Sequence, residues 1–337
     1  MKAKTLWSLV TEGRLELLRS VGRLSSSHYR ACFAVAAARS GLFRALDRGP
    51  RSLLEIAAAL SIDQTEAPAL EAWLEVGTGT GVLRRHGDGF ALSRTGRLLA
   101  SVRGDAVVAL LEEMLELHTK LILETPGRLA KGERFTLDDL DGQVIARSSR
   151  LIEPFITEAV HDFVPSCGEV RLLEIGCGSG IHIRTAASLN PDLKAVGVEL
   201  SPEVAETARA HLREWGLNGR ASVEVSDIRT RVGEAEFDLA TMHQNIYYFS
   251  ETEQVPLLAR VRSMLRPGGR LLLTTACRGG SPGMSVLSLW GALTEGCSAL
   301  PEPKQLERRL VEAGFREVRR TNLLAPFDSF YAFFART

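Results

Sequence analysis

No run of about 18 consecutive apolar residues, the length a membrane-spanning helix needs, occurs anywhere in this 337-residue chain. An excess of either charge is equally missing. Lys plus Arg and Asp plus Glu each number 41, so composition gives no electrostatic attraction to nucleic acid or to an anionic membrane. The expected partner is a small molecule. Cysteine is sparse, and Cys32, Cys167, Cys177, Cys277 and Cys297 form no CxxC pair. That scatter argues against a disulfide framework and a zinc ribbon, and predicts free thiols in a reducing compartment. The stretch MKAKTLWSLVTEGRLELL places Glu12, Arg14 and Glu16 where a secretory leader would keep its apolar core, so the cytoplasm is the expected location.

What is present falls into two patterns. Residues 1–105 are rich in Ala, Leu and Arg with helical periodicity. Within them LLEIAAAL, a break at SIDQ, TEAPALEAWLEVG and VLRRHGDGFALS read as helix, turn, helix and a small hairpin, a winged-helix-like arrangement. Its second helix carries Glu66, Glu71 and Glu75 and no basic residue, which argues against contact with phosphates. Apolar helices expected over Leu15–Leu24 and Tyr29–Leu46 suit a homodimer surface. Residues 106–164 read as connecting helices with a polar, substrate-facing loop at TPGRLAKGERF, between domains where substrate sites are common.

From residue 165 to 337 strands alternate with helices. VRLLEI, KAVGVEL, ASVEVS, FDLATM, GRLLLTT, EVRRTNLL and SFYAFFA are the seven candidates. The fold class is therefore α/β, a Rossmann-like seven-stranded domain preceded by a mainly helical winged-helix-like domain. The short break at 325–328 leaves no room for a crossover helix, so the final strand is expected to be antiparallel.

The segment LLEIGCGSGIHI, residues 172–183, runs from a strand into Gly176, Gly178 and Gly180 and then into a helical pattern. Such glycines let the backbone turn tightly and approach a ligand that faces the helix N-terminus. Glu199 ends the next strand, where a carboxylate can accept hydrogen bonds from ribose hydroxyls. A dinucleotide site would have GxGxxG; here the third glycine comes one residue early.

With EIGCGSG, VGVELS, the segment SDI at 226–228 and LRPGGRLLL in that order, the chain resembles the class I S-adenosylmethionine-dependent methyltransferases. The resemblance implies Glu174 and the loop Gly176, Gly178, Gly180 at the methionine end, Glu199 with Leu200 at the ribose, and Asp227 with Ile228 at the adenine. Arg147 and Ser148, in IARSSRLIEPF, join the expected cofactor contacts. The two domains together resemble small-molecule methyltransferases that dimerise through the first domain, many of which methylate oxygen with a histidine base in an HDW-type segment. Aligned back from RPGG, that position falls near Tyr248 or Phe249, and no histidine stands there.

His243 stands a few residues earlier, at the expected carboxyl end of the fourth strand, the ligand-binding side of an open α/β sheet. With Glu295, Arg128 and an oxyanionic substrate, it suggests a metal that the substrate can chelate. The combination resembles a narrower group, the metal-dependent α-keto acid C-methyltransferases of nonribosomal peptide biosynthesis. That resemblance implies His243 and Glu295 as ligands to Zn or Fe and Arg128 on the substrate carboxylate. The expected reaction is methylation of C3 of a 2-oxo acid, supplying a β-methyl amino acid for a secondary metabolite such as an antibiotic. Bound water, His118 or Tyr248 are candidate bases. His182 is expected at cofactor or solvent, and Trp290 and Phe327 in an apolar pocket wall. A metal-free O-methyltransferase and a cofactor-sensing regulator are the alternatives.

Overall fold

The computed structural model describes residues 14–139 and 141–337, with side chains from residue 16 onward. The segment read for a secretory leader lies almost wholly outside the described residues. The chain forms two compact units, one holding the residues through Lys120 together with 141–151, the other holding Leu121–Asp139 and Ile152–Thr337.

The first unit opens on a single helix, α1 (Arg14–Arg39), where two helices were expected. The residues between the two expected ranges are helical as well, and Ser25 Oγ donates to the Gly22 carbonyl at 3.3 Å. The break falls later, at Gly41 with φ 83°, before α2 (Leu42–Leu46). Then follow α3 (Leu53–Ala59), capped reciprocally by Ser52 and Glu55, and α4 (Ala67–Gly79). The hairpin β1 (Leu83–His86) and β2 (Gly89–Leu92) completes the winged-helix-like group. Its Arg85 bonds Glu71 at 2.7 Å and also pairs with Glu75, so the acids of α4 are neutralised within the unit. Gly77 lets α4 close on the core, because a Cβ there would lie 2.3 Å from the Phe33 ring.

Helices α5 (Arg94–Ala100) and α6 (Asp105–Glu113) lead through a π-turn at Met114–His118 into α7 (Thr119–Lys131). Most of the expected loop at 125–135 is therefore helical through Lys131. Pro126 removes one backbone bond, but Arg128 reaches one turn back to Glu124 at 2.9 Å and Thr125 Oγ1 donates to the Leu121 carbonyl at 2.6 Å. Helix α8 (Gly142–Ser148) is capped by Asp141.

The second unit continues with α9 (Glu153–Phe163) and contains a seven-stranded sheet. Its strands are β3 (Val170–Ile175), β4 (Leu193–Glu199), β5 (Ala221–Val225), β6 (Phe237–His243), β7 (Leu265–Ala276), β8 (Arg316–Asn322) and β9 (Phe330–Arg336). They lie in the order β5-β4-β3-β6-β7-β9-β8. All neighbouring pairs are parallel except those made by β9, which runs antiparallel to both β7 and β8. The central strands read as continuous apolar runs because both faces are covered; Leu172, Leu173, Leu271 to Leu273, Phe330 and Phe333 are buried.

Candidate active site

The site is built at the carboxyl ends of β3, β4 and β6. After Ile175 the chain turns through Gly176, Gly178 and Gly180 at φ 65°, 52° and 79°, a left-handed path that side chains resist. The amides of Gly176 and Cys177 both donate to the Val198 carbonyl, at 2.8 and 3.1 Å, tying the loop to β4. A Cβ on Gly178 would meet no atom within 4 Å, so this turn presents bare backbone to open space. Helix α10 (Ile181–Leu189) starts directly behind it.

Glu199 at the end of β4 accepts from the Gly178 amide at 3.1 Å and from the Leu200 and Ser201 amides at 2.9 and 3.1 Å. It thereby fixes the glycine loop and the start of α11 (Pro202–Glu214) together, and Ser201 caps that helix. Asp227 accepts from the Arg229 amide and guanidinium, which hold its carboxyl below the usual range, and Ile228 beside it is buried.

Glu174 is 1% exposed and its Oε2 has no partner; burial pushes its carboxyl up to about 8. Register sets it beside Thr241 on β6, whose hydroxyl is likewise buried without a partner. Two residues on, and so on the same face of β6, stands His243. Its Nδ1 lies 2.8 Å from the Thr274 hydroxyl of β7, while its buried Nε2 has no partner. The His182 ring, from the first turn of α10, packs 4.5 Å from it between centroids and also keeps an unpartnered nitrogen. Burial lowers His182 to about 4, and burial followed by His182 lowers His243 well below the ordinary histidine range, so both rings are neutral at pH 7. Asn245 donates to the Ile175 carbonyl at 2.6 Å and leaves its Oδ1 unpartnered. Buried polar atoms are rarely left without partners, and several of them around one loop mark a place for a polar ligand.

Beyond His243, a single turn at Ile246–Tyr248 stacks Tyr247 on Tyr248 at 5.2 Å. Trp290 of α13 (Pro282–Leu293) meets both rings edge-on, at 6.2 and 5.3 Å. Gln254, fully buried in α12 (Glu251–Met264), holds the turn by donating to the Ile246 and Phe249 carbonyls and to Ser298 Oγ, and Arg309 donates to its oxygen at 2.5 Å. Trp290 is buried against this aromatic pair, whereas Phe327 is 82% exposed.

The other expected site residues have partners of their own. Arg128 pairs with Glu124 and lies 3.9 Å over the Phe135 ring. Arg147 bonds Asp105 at 2.7 Å and Glu112 at 3.3 Å, and Ser148 donates to Glu113 at 2.7 Å; these belong to the first unit, whereas the glycine loop belongs to the second. His118 pairs with Glu113 at 3.1 Å. Of the two metal ligands expected, His243 is buried at the end of β6. Glu295 is exposed in the turn after α13, and among the described residues no group of three or more His, Cys, Asp and Glu is placed to hold an ion. Sequence reasoning missed Thr274 and Asn245 and gave His182 no chemical role; strand register and helix placement bring these side chains together.

The residues do fit S-adenosylmethionine: a bare glycine turn, a buried carboxylate with an unpartnered oxygen, and an acidic residue ending β4. Residues 172–269 match the methyltransferase domain family. The demethylspheroidene O-methyltransferase of Cereibacter sphaeroides is 27% identical over 307 residues, covering 82% of this chain and 76% of the relative. A ubiquinone biosynthesis O-methyltransferase of Xanthomonas euvesicatoria is 28% identical over 122 residues, 36% of this chain and 48% of its own length. Among solved structures, the mitomycin 7-O-methyltransferase shares the fold with a TM-score of 0.77 at 19% identity, over 97% of this chain and 100% of that one. Human N-acetylserotonin methyltransferase in complex with S-adenosylmethionine follows at 0.74 and 17%, over 95% and 97%. Fold, glycine turn and family match together define a methyltransferase. More particularly, the enzyme is an S-adenosylmethionine-dependent methyltransferase whose residues 172–269 match that domain family.

Proposed function

We propose that the enzyme methylates a hydroxyl oxygen of a small molecule, with His243 as the group that takes the hydroxyl proton. The observation carrying this reading is the buried, neutral imidazole whose Nε2 has no partner at the carboxyl end of β6. The likeness to an O-methyltransferase over 82% of the chain supports the choice of oxygen. In the tautomer whose Nδ1–H donates to Thr274 Oγ1, the lone pair lies on Nε2, ready for a proton. When bound, S-adenosylmethionine supplies an electrophilic methyl group on a sulfonium. As that methyl passes to oxygen, positive charge leaves sulfur while the imidazole gains a proton. The buried site then carries the same net charge before and after, which avoids the cost of creating a new buried ion. Tyr247, Tyr248 and Trp290 offer flat apolar faces to a conjugated ring.

A second reading keeps the same base but a different nucleophile. His243 would take a C3 proton from a 2-oxo acid, and the resulting enolate carbon would attack the methyl group. The absence of histidine near Tyr248 and Phe249, where oxygen-methylating relatives of this layout carry their base, favours this reading. One experiment separates the two. Purified enzyme is incubated with the cofactor carrying a carbon-13 methyl and with panels of phenols and of 2-oxo acids, and the product carbon shift is read by NMR. An O-methyl signal from a phenol is the expected result; a C-methyl signal from an oxo acid would overturn it in favour of the second reading.

A further inference from the structure

The sheet carries a line of arginines far along its strands from the glycine loop. Register pairs Arg270 of β7 with Arg336 of β9, and Arg336 in turn with Arg316 of β8. Neighbouring strands lie about 4.8 Å apart, so three guanidinium stems leave one row of the sheet side by side. Like charges directly opposite one another destabilise a sheet. Arg319 stands beside the row, where a register shift between Arg316 and Arg319 distorts β8 and Glu317 takes φ 49°.

These charges are poorly compensated. Arg336 reaches Glu317 at 3.5 Å across an exposed pair, and Arg320 is paired with Glu307. Among the described residues no carboxylate is paired with Arg270, Arg316 or Arg319. Arg270 instead donates to the Phe163 carbonyl at 2.9 Å and lies 5.0 Å from the Phe163 ring, and burial together with Arg336 lowers its pKa. The chain as a whole has no net charge, so this is a local excess. Arg270, Arg319, Arg320 and Arg336 line a groove of about 760 Å³, with Asp162 and Glu317 as its acids. That volume is within the range of small-molecule sites.

We propose that this groove is a binding site for a small polyphosphate anion, separate from the methyl-transfer site. The planar guanidinium forks of Arg270, Arg336 and Arg319, which line the groove, match successive phosphoryl groups, each able to take two parallel hydrogen bonds. The ligand supplies the counter-charge that the row lacks. The competing explanation is that the arginines only keep an exposed edge strand from pairing with another chain, since β8 ends the sheet. The two explanations differ in what the groove binds.

The test is calorimetric titration of the full chain with inorganic tripolyphosphate at low and at physiological salt, with no methyl donor present. Saturable binding at one site is expected, and Arg336→Glu or Arg319→Glu should weaken it at least tenfold. Both positions are exposed, so the variants should fold, and circular dichroism checks this. Arg84→Glu on the hairpin makes the same change in net charge and should leave the affinity within twofold. No saturable binding, or equal weakening by Arg84→Glu, overturns the site. Binding of a single-stranded oligonucleotide without binding of tripolyphosphate overturns the ligand class.

Discussion

At the residue scale the proposed chemistry turns on His243 and Glu174. Replacing His243 by Ala should lower kcat by roughly 10²- to 10⁴-fold, the usual worth of a positioned base, while cofactor affinity stays within a few-fold. Thr274→Val should give a smaller loss, because the imidazole remains but its tautomer is no longer held. Steady-state kinetics beside cofactor titration separate these effects. Glu174 gives a pH signature. Its free carboxyl, raised to about 8 by burial, is protonated at pH 7 in the cofactor-free protein. We propose that it faces the methionine end of the cofactor, where an ammonium favours the carboxylate, so that binding releases a proton. Cofactor affinity should therefore rise as pH rises from about 6 to 8, by up to about tenfold per unit, and level off above. Glu174→Gln should flatten that slope; a wild-type affinity independent of pH would show that the carboxyl is not coupled to binding.

At the scale of elements, the glycine loop and β4 form one packed piece. A Cβ at Gly197 would lie 2.7 Å from the Cys177 sulfur and 2.9 Å from its Cβ. Gly197→Ala should cost about 1–3 kcal/mol of stability by overpacking and also weaken cofactor binding, because Cys177 sits within the loop it would displace. Thermal unfolding with and without cofactor checks both. This coupling was invisible in the sequence, where residues 177 and 197 are merely two small side chains. The strands were legible because a sheet covered on both faces writes itself as short apolar runs. The glycine spacing and Glu199 were legible because turn and carboxylate must stand at fixed offsets along one chain. The extent of α1 and α7 was not, since serine, glycine and proline mark breaks only statistically and a neighbouring side chain can restore the helix, as at Arg128. The pairing of His243 with Thr274 and its packing on His182 were also hidden, because those contacts join residues 31 and 61 positions distant through strand register and helix placement. Glu295, whose position along the chain suggested a ligand, is exposed in the turn after α13, and exposure is not legible from such a position alone.

At the scale of the whole molecule, α1 presents Leu17, Val21 and Leu24 at 65%, 60% and 73% exposure. Their spacing sets them on one helical face, and we propose that a second copy covers it. Light scattering should give twice 36.8 kDa, and Leu17→Glu with Leu24→Glu should shift the species to the single-chain mass. Within the second unit, the strand that comes last in sequence lies inside the sheet, between β7 and β8. Phe330–Arg336 is therefore the strand on which two others depend: without it β7 would keep one edge open and β8 would have no neighbour in the sheet.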